Sequence, residues 1–226
     1  MDPAAPGARP SAGRGREGGR MALEIIYGRK EWRDDPAAAQ AEAERRIALT
    51  AAARDPADRE AICFSDLGAL LAIPPGLGRV EGLRRLIVGD ARTLDGKGLD
   101  FGPQIENLSA LAEAPALVEL NLIDVGAPDL APLAGLTALQ FLDLRSTKIS
   151  DLAPLAGLTA LLSLDLRRTQ VADLAPLAGL TALQSLGLGS TQVSDLAPLA
   201  GLTALRSLDL SRTQVSDLAP LAGLTA

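Results

Sequence analysis

The chain has 226 residues, 47% of them apolar, a formal net charge of −6, one cysteine and no histidine. The lack of histidine excludes Ser-His-Asp and Cys-His catalysis, imidazole acid–base chemistry and any His-containing metal site. One cysteine excludes an internal disulfide and a thiolate zinc site, no apolar run approaches a membrane span, and the acidic balance argues against a duplex DNA partner.

Residues 1 to 20, MDPAAPGARPSAGRGREGGR, hold no large apolar side chain apart from Met1, so a disordered tail is expected. Its four arginines stand against Asp2 and Glu17, too weak a basic excess for a nucleic-acid or lipid-binding tail. Residues 21 to 59 read as a capping segment. Asp35 followed by Pro36 starts a helix over about 36–53, rich in strong helix formers. Trp32 and Tyr27, the only Trp and Tyr, lie beside it and are expected to pack the cap.

From residue 60 the chain is repetitive. DLAPLAGLTAL stands at 129, 151, 173 and 195, and ten of its letters close the chain at 217. From Leu117 onward, blocks of 22 residues follow without a gap, the mark of a repeat architecture. In the block 139–160, Leu142 and Leu144 point to one face of a strand, and Phe141, Asp143 and Arg145 to the other. Leu152, Leu155 and Leu158, three apart, suit a short 3₁₀ turn. Asp151 is placed to cap that turn, and Pro154 sits in it at little cost. Threonine recurs at the strand end (Thr147, Thr169, Thr191, Thr213), where its hydroxyl can bond turn backbone.

One block cannot bury its own leucines. Stacked blocks can, with parallel strands about 4.8 Å apart. Weaker copies extend the array backwards. LRRLIV (83–88) resembles the strand, and IENLSALAEAPAL (105–117) resembles the second half. That unit carries extra residues within the insertion 89–104. Leu70, Ile73, Leu77 and Val80 lie where a further copy needs them, and Cys63 is read as occupying a leucine position as a buried, inert thiol. The sum is seven coils over 60–226.

LxxLxL followed by a polar residue resembles the leucine-rich repeat, and the 22-residue form with DLxPLxGLT is similar to bacterial internalin-type repeats. The resemblance implies an α/β fold: a right-handed solenoid with a parallel sheet on the concave face, short 3₁₀ or helical turns on the convex face and an N-terminal helical cap. It also implies a non-catalytic module that binds a protein through the concave face, or the sensor or substrate-recruiting arm of a longer signalling enzyme such as a small-GTPase, TIR or ubiquitin-ligase fusion. Internalins are secreted or surface-anchored. Here no charged n-region precedes an apolar h-region, so a cytoplasmic location is expected, in keeping with the cysteine count.

No cofactor or metal is expected. GDARTLDGKG (89–98) has Gly98 after Lys97 where a phosphate loop needs Ser or Thr. Asp95, Asp100 and Glu106 miss the calcium-loop spacing and read as a solvated loop. What remains is the sheet face. Position five of the blocks reads Asn121, Asp143, Asp165, Gly187, Asp209; position seven reads Ile123, Arg145, Arg167, Gly189, Ser211; position eight reads Asp124, Ser146, Arg168, Ser190, Arg212. The candidate partner contacts are Asn121, Phe141, Asp143, Arg145, Asp165, Arg167, Arg168, Asp209 and Arg212. Either these charges form a protein-binding face, or they are ion pairs that keep the sheet soluble. The last coil has no polar cap over Leu208, Leu210, Val215, Leu218, Leu221 and Leu224. It is therefore expected to belong to a longer product or to be covered by another chain, and to self-associate if left open.

Overall fold

A computed structural model describes residues 35–53, 60–64, 70–89, 105, 107–126 and 128–224. The tail 1–20, Tyr27, Trp32, and the Asp95, Lys97, Asp100 and Glu106 positions lie outside these residues. The first element is set by Asp35, whose Oδ1 accepts the N–H of Ala37 at 2.9 Å and of Ala38 at 3.2 Å. Pro36 follows at a position that needs no N–H. Helix α1 spans Pro36–Ala52, one residue short of the expected end. Its stripe of Ala39, Ala43 and Ile47 is buried and packs against β1 (Ala61–Cys63) and the 3₁₀ turn Leu77–Arg79. Arg46 Nη1 ties it down with a 2.7 Å bond to the Cys63 carbonyl. The helix thus covers the first coil.

Seven parallel strands follow in sequence order, β1 to β7. After β1 come β2 (Arg85–Gly89), β3 (Glu119–Leu122), β4 (Phe141–Asp143), β5 (Ser163–Asp165), β6 (Ser185–Gly187) and β7 (Ser207–Asp209). One apolar column runs straight across them: Ile62, Leu86, Leu120, Leu142, Leu164, Leu186, Leu208. The longer second unit is absorbed without loss of register, since Leu86 pairs with Leu120, and the ladder is disturbed only between Ile87 and Gly89 where the insertion begins. The short strands understate the pairing. The amides of Leu144, Leu166 and Leu188 donate to the carbonyls of Asp165, Gly187 and Asp209, and those of Ser146, Arg168 and Ser190 to Arg167, Gly189 and Ser211. Backbone groups are thereby satisfied well past each strand.

The coil interior is closed to solvent by its leucines. In the fifth coil Leu161, Leu164, Leu166, Val171, Leu174, Leu177 and Leu180 are all at most 1% exposed. Burial of each leucine is worth roughly 1.5–3 kcal/mol against exposure. Two polar devices close the turns of coils four to seven. Thr147, Thr169, Thr191 and Thr213 each donate the hydroxyl to the carbonyl three residues earlier, at 2.6–2.8 Å. Asp129, Asp151, Asp173, Asp195 and Asp217 each accept the amide two residues on, at 2.8–2.9 Å. Asn107 does the same for Ser109 in the divergent second unit. The aspartate therefore stands one residue ahead of the cap position, which a leucine fills, and acts as an Asx turn feeding the 3₁₀ turn rather than as its cap.

Two expectations are corrected. Cys63 does not replace a leucine: Ile62 holds that column, and Cys63 aligns with Ile87, Asn121 and Asp143 on the outward side, though it is only 8% exposed. A slip of one residue exchanges the two faces of a strand. Position eight, which carries Arg168 and Arg212, is no longer strand. Asp124, Ser146, Arg168, Ser190 and Arg212 all adopt φ between 56° and 61°. This left-handed conformation costs an L-residue about 1–2 kcal/mol, and it turns the chain off the sheet at the same point in five coils.

Candidate functional site

The outward sheet face is built by side chains at positions three, five and seven. Position five has a structural duty first. Asn121, Asp143, Asp165 and Asp209 each accept the backbone N–H two residues ahead, at 2.9–3.1 Å, so each bends the chain toward its left-handed turn. That bend returns the position-seven side chain over the carboxylate. Arg145 donates to Asp143 through Nε and through Nη2 at 2.6 Å, and its Nε lies 3.4 Å from Asp165 Oδ2 in the next coil. Arg167 repeats the grip on Asp165. The result is a zipper, Asp143–Arg145–Asp165–Arg167, along four of the nine expected contact residues.

Electrostatics follow from that geometry. The hydrogen bond that Arg145 donates to Asp143 raises its guanidinium above its ordinary value, against the opposing effect of burial. Asp165 does the same for Arg167. Ser211 holds the Asp209 carboxyl below the ordinary aspartate value, with Arg167 adding to the effect. Each half-exposed pair is worth a few tenths to about 1 kcal/mol. The ion-pair reading of the columns thus holds for this zipper. It does not hold for Arg168 and Arg212, which are exposed and, among the described residues, make no salt bridge.

Phe141 projects from the start of β4 and is 43% exposed, beside Glu119 of β3 and Ser163 of β5 in register. Farther along the face, a depression of about 320 Å³ opens at Gly189, in the coil whose Gly187 and Gly189 stand where its neighbours carry charged side chains. Arg145, Arg167, Arg168 and Arg212 line it, with Ile123, Ser146, Ser190, Asp209 and Ser211. The structure therefore gathers five of the nine expected residues (Arg145, Arg167, Arg168, Asp209, Arg212) at one depression. Asn121, Phe141, Asp143 and Asp165 do not line it. Sequence reasoning missed a further ion pair, Arg85 Nε to Glu119 Oε2 at 2.7 Å. Aligning LRRLIV on LVELNL puts both at position three and was the available signal. The lining serines were missed as well, and nothing in their residue type marks them.

Among the described residues no group of three or more His, Cys, Asp or Glu gathers as a metal site would. No helix among them is long and apolar enough to cross a membrane.

A seven-stranded parallel sheet alternating with 3₁₀ turns, closed by an N-terminal helix, defines a leucine-rich repeat solenoid. Residues 137–179 and 181–223 match the family described as Leucine Rich repeats (2 copies). The crystal structure of internalin C2 from Listeria monocytogenes superposes with a TM-score of 0.59 at 31% identity, over 83% of this chain and 89% of that one. A second Listeria monocytogenes internalin, InlF, aligns over 81% of this chain and 72% of its own at 24% identity and a TM-score of 0.46. No curated protein sequence matches the chain. The chain belongs to the leucine-rich repeat family, in its internalin-like form. Domains of this kind are generally protein-binding modules and typically non-catalytic.

Proposed function

We propose that the chain is a non-catalytic, cytoplasmic interaction module that binds a protein through the outward face of its sheet. The observation that carries this reading is the division of labour on that face. Its central charges are already paired to one another, while Phe141, Arg168 and Arg212 stand exposed and uncommitted. An exposed aromatic and unpaired arginines are the residue types that dominate protein-binding hot spots. The face's rigidity, fixed by continuous ladder bonds, keeps the ordering cost of binding low.

The test is selection of a displayed peptide and small-domain library on the full chain, followed by binding to Phe141→Ala and to Arg206→Gln, an exposed arginine not among the expected contacts. Selected binders should weaken at least tenfold with Phe141→Ala and be indifferent to Arg206→Gln. Binders that ignore the sheet-face substitution overturn the reading.

The last coil offers a place for a second copy to pack: Leu218 is 59% exposed, whereas its counterparts Leu174 and Leu196 are 1% exposed. For the 226-residue chain itself, light scattering at tens of micromolar should show dimers or larger species, and a monodisperse monomer refutes self-association through this end.

A further inference from the structure

The two-glycine gap raises a question that the repeat itself does not answer. Coils four and five place an Asp and an Arg at positions five and seven; coil six places Gly187 and Gly189 there instead. The glycines are not neutral spacers. A Cβ on Gly187 would lie 2.7 Å from Asp165 Oδ1, and one on Gly189 would lie 2.8 Å from Ser211 Oγ and 2.9 Å from Asp209 Oδ2. The neighbouring side chains thus lean in over bare backbone, Asp165 and Arg167 over Gly187, Ser211 and Asp209 over Gly189, and the open depression lies beside them with Gly189 in its lining. A side chain at either position would have to displace them.

Charge around the gap does not cancel. Arg145, Arg167, Arg168 and Arg212 line it with Asp209, and Asp143 and Asp165, outside the lining, pair with the first two arginines, on a chain whose net charge is −6. The excess is borne by Arg168 and Arg212. They project from equivalent left-handed turns in coils five and seven, two strand spacings or roughly 10 Å apart, with Ser190 of coil six between them. Guanidiniums are suited to clasping a planar oxyanion from two sides. The hydroxyls of Ser190 and Ser211 supply further donors at the rim.

We propose that the notch beside Gly189 is a carboxylate-binding subsite, taking one Asp or Glu side chain of the protein partner between Arg168 and Arg212. This deepens the proposed function and rests on it for the identity of the ligand as a protein group. A single carboxylate, rather than a phosphate dianion, is selected by Asp209 on the wall, which repels a second negative charge.

The test does not require a partner. The ¹⁵N-labelled full chain is titrated with N-acetylglutamate α-amide, N-acetylglutamine α-amide and inorganic phosphate, and the arginine Nε–Hε resonances are followed. Saturable shifts confined to the notch arginines, including Arg168 and Arg212, are expected with the glutamate compound, at least tenfold weaker with the glutamine compound, and abolished in Arg168→Gln/Arg212→Gln. Arg206→Gln should change nothing. Equal response to the glutamine compound, no saturation with the glutamate compound, or retention of binding in the double variant overturns the subsite. Phosphate binding tenfold more tightly than the glutamate compound overturns the choice of a monoanion. The outcome is independent of the library selection, so a working notch on a face that binds no protein, or the reverse, is recognised as such.

Discussion

Replacing Ser146 with valine should destabilise the solenoid, although the same change in a neighbouring half-buried strand position should not. Ser146 sits at φ 59°, where the side chain crowds the following carbonyl and a non-glycine residue already costs about 1–2 kcal/mol. A β-branched side chain is worse placed there than serine, and the further loss should be about 1–2 kcal/mol. Asparagine tolerates the left-handed region, so Ser146→Asn should recover roughly 0.5–1 kcal/mol. Ser163 is the control. It lies in β5 opposite Phe141 and Ser185, and valine in an extended strand beside an aromatic should be neutral or stabilising by up to about 0.5 kcal/mol. Urea unfolding followed by circular dichroism reads all three. With a slope of about 2–3 kcal/mol per M, Ser146→Val should lower the midpoint by about 0.5 M, while Ser163→Val leaves it in place or raises it. Valine acting alike at both positions, or asparagine as harmful as valine at 146, would refute the assignment of strain to the turn.

Core position should matter more than residue type. Leu164→Ala, in a site 1% exposed, should cost about 3–4 kcal/mol, whereas Leu208→Ala, only partly buried in the last coil, should cost less than about 2 kcal/mol. Equal losses in calorimetry would mean the last coil is covered. Thr169→Val keeps shape but removes the hydroxyl bond to the Leu166 carbonyl, and should cost about 1 kcal/mol in the same urea assay; no change would show the bond to be dispensable. Glu42 is held below the ordinary glutamate value, chiefly by Arg45 and further by Arg46. Its contribution to stability is therefore complete above the unfolded pKa of about 4.3 and is lost as pH falls through the lower folded value. Glu42→Gln should flatten the acid limb of a stability–pH profile there and nowhere else.

The fold was readable because its cause is long-range and periodic. A leucine that recurs every 22 residues can be buried only by stacking, and the register from Leu120 to Leu208 follows from the spacing alone. Even the pairing of Arg85 with Glu119 lay in the alignment of two strand motifs. The misreadings share a different origin. β1 is spelled AIC, without the leucines that fix a face, and a shift of one residue misplaced Cys63. The left-handed turns were invisible because serine and arginine stand where glycine or asparagine would have announced them. The ladder bond that Asp124, Ser146, Arg168 and Ser190 each donate to the next coil, not local preference, holds those residues in place. Of the candidate site, the charged columns were legible, but which charges neutralise one another was not. Pairing depends on the Asx bend that swings Arg145 and Arg167 back over their own coil.

The uniform register also makes the sheet a ruler. Each added block advances the stack by one strand spacing, about 4.8 Å, and leaves every neighbour's pairing intact, because adjacent coils from β3 onward share the same contacts. Phe141 and the notch at Gly189 lie two coils apart on that scale. Copying residues 161–182 once more into the array would move Phe141 and Gly189 one graduation further apart, and would carry Ile123, Arg145 and Ser146 one graduation away from the rest of the notch lining. A gene that gains or loses one block therefore changes not whether the face exists but what length of ligand it measures.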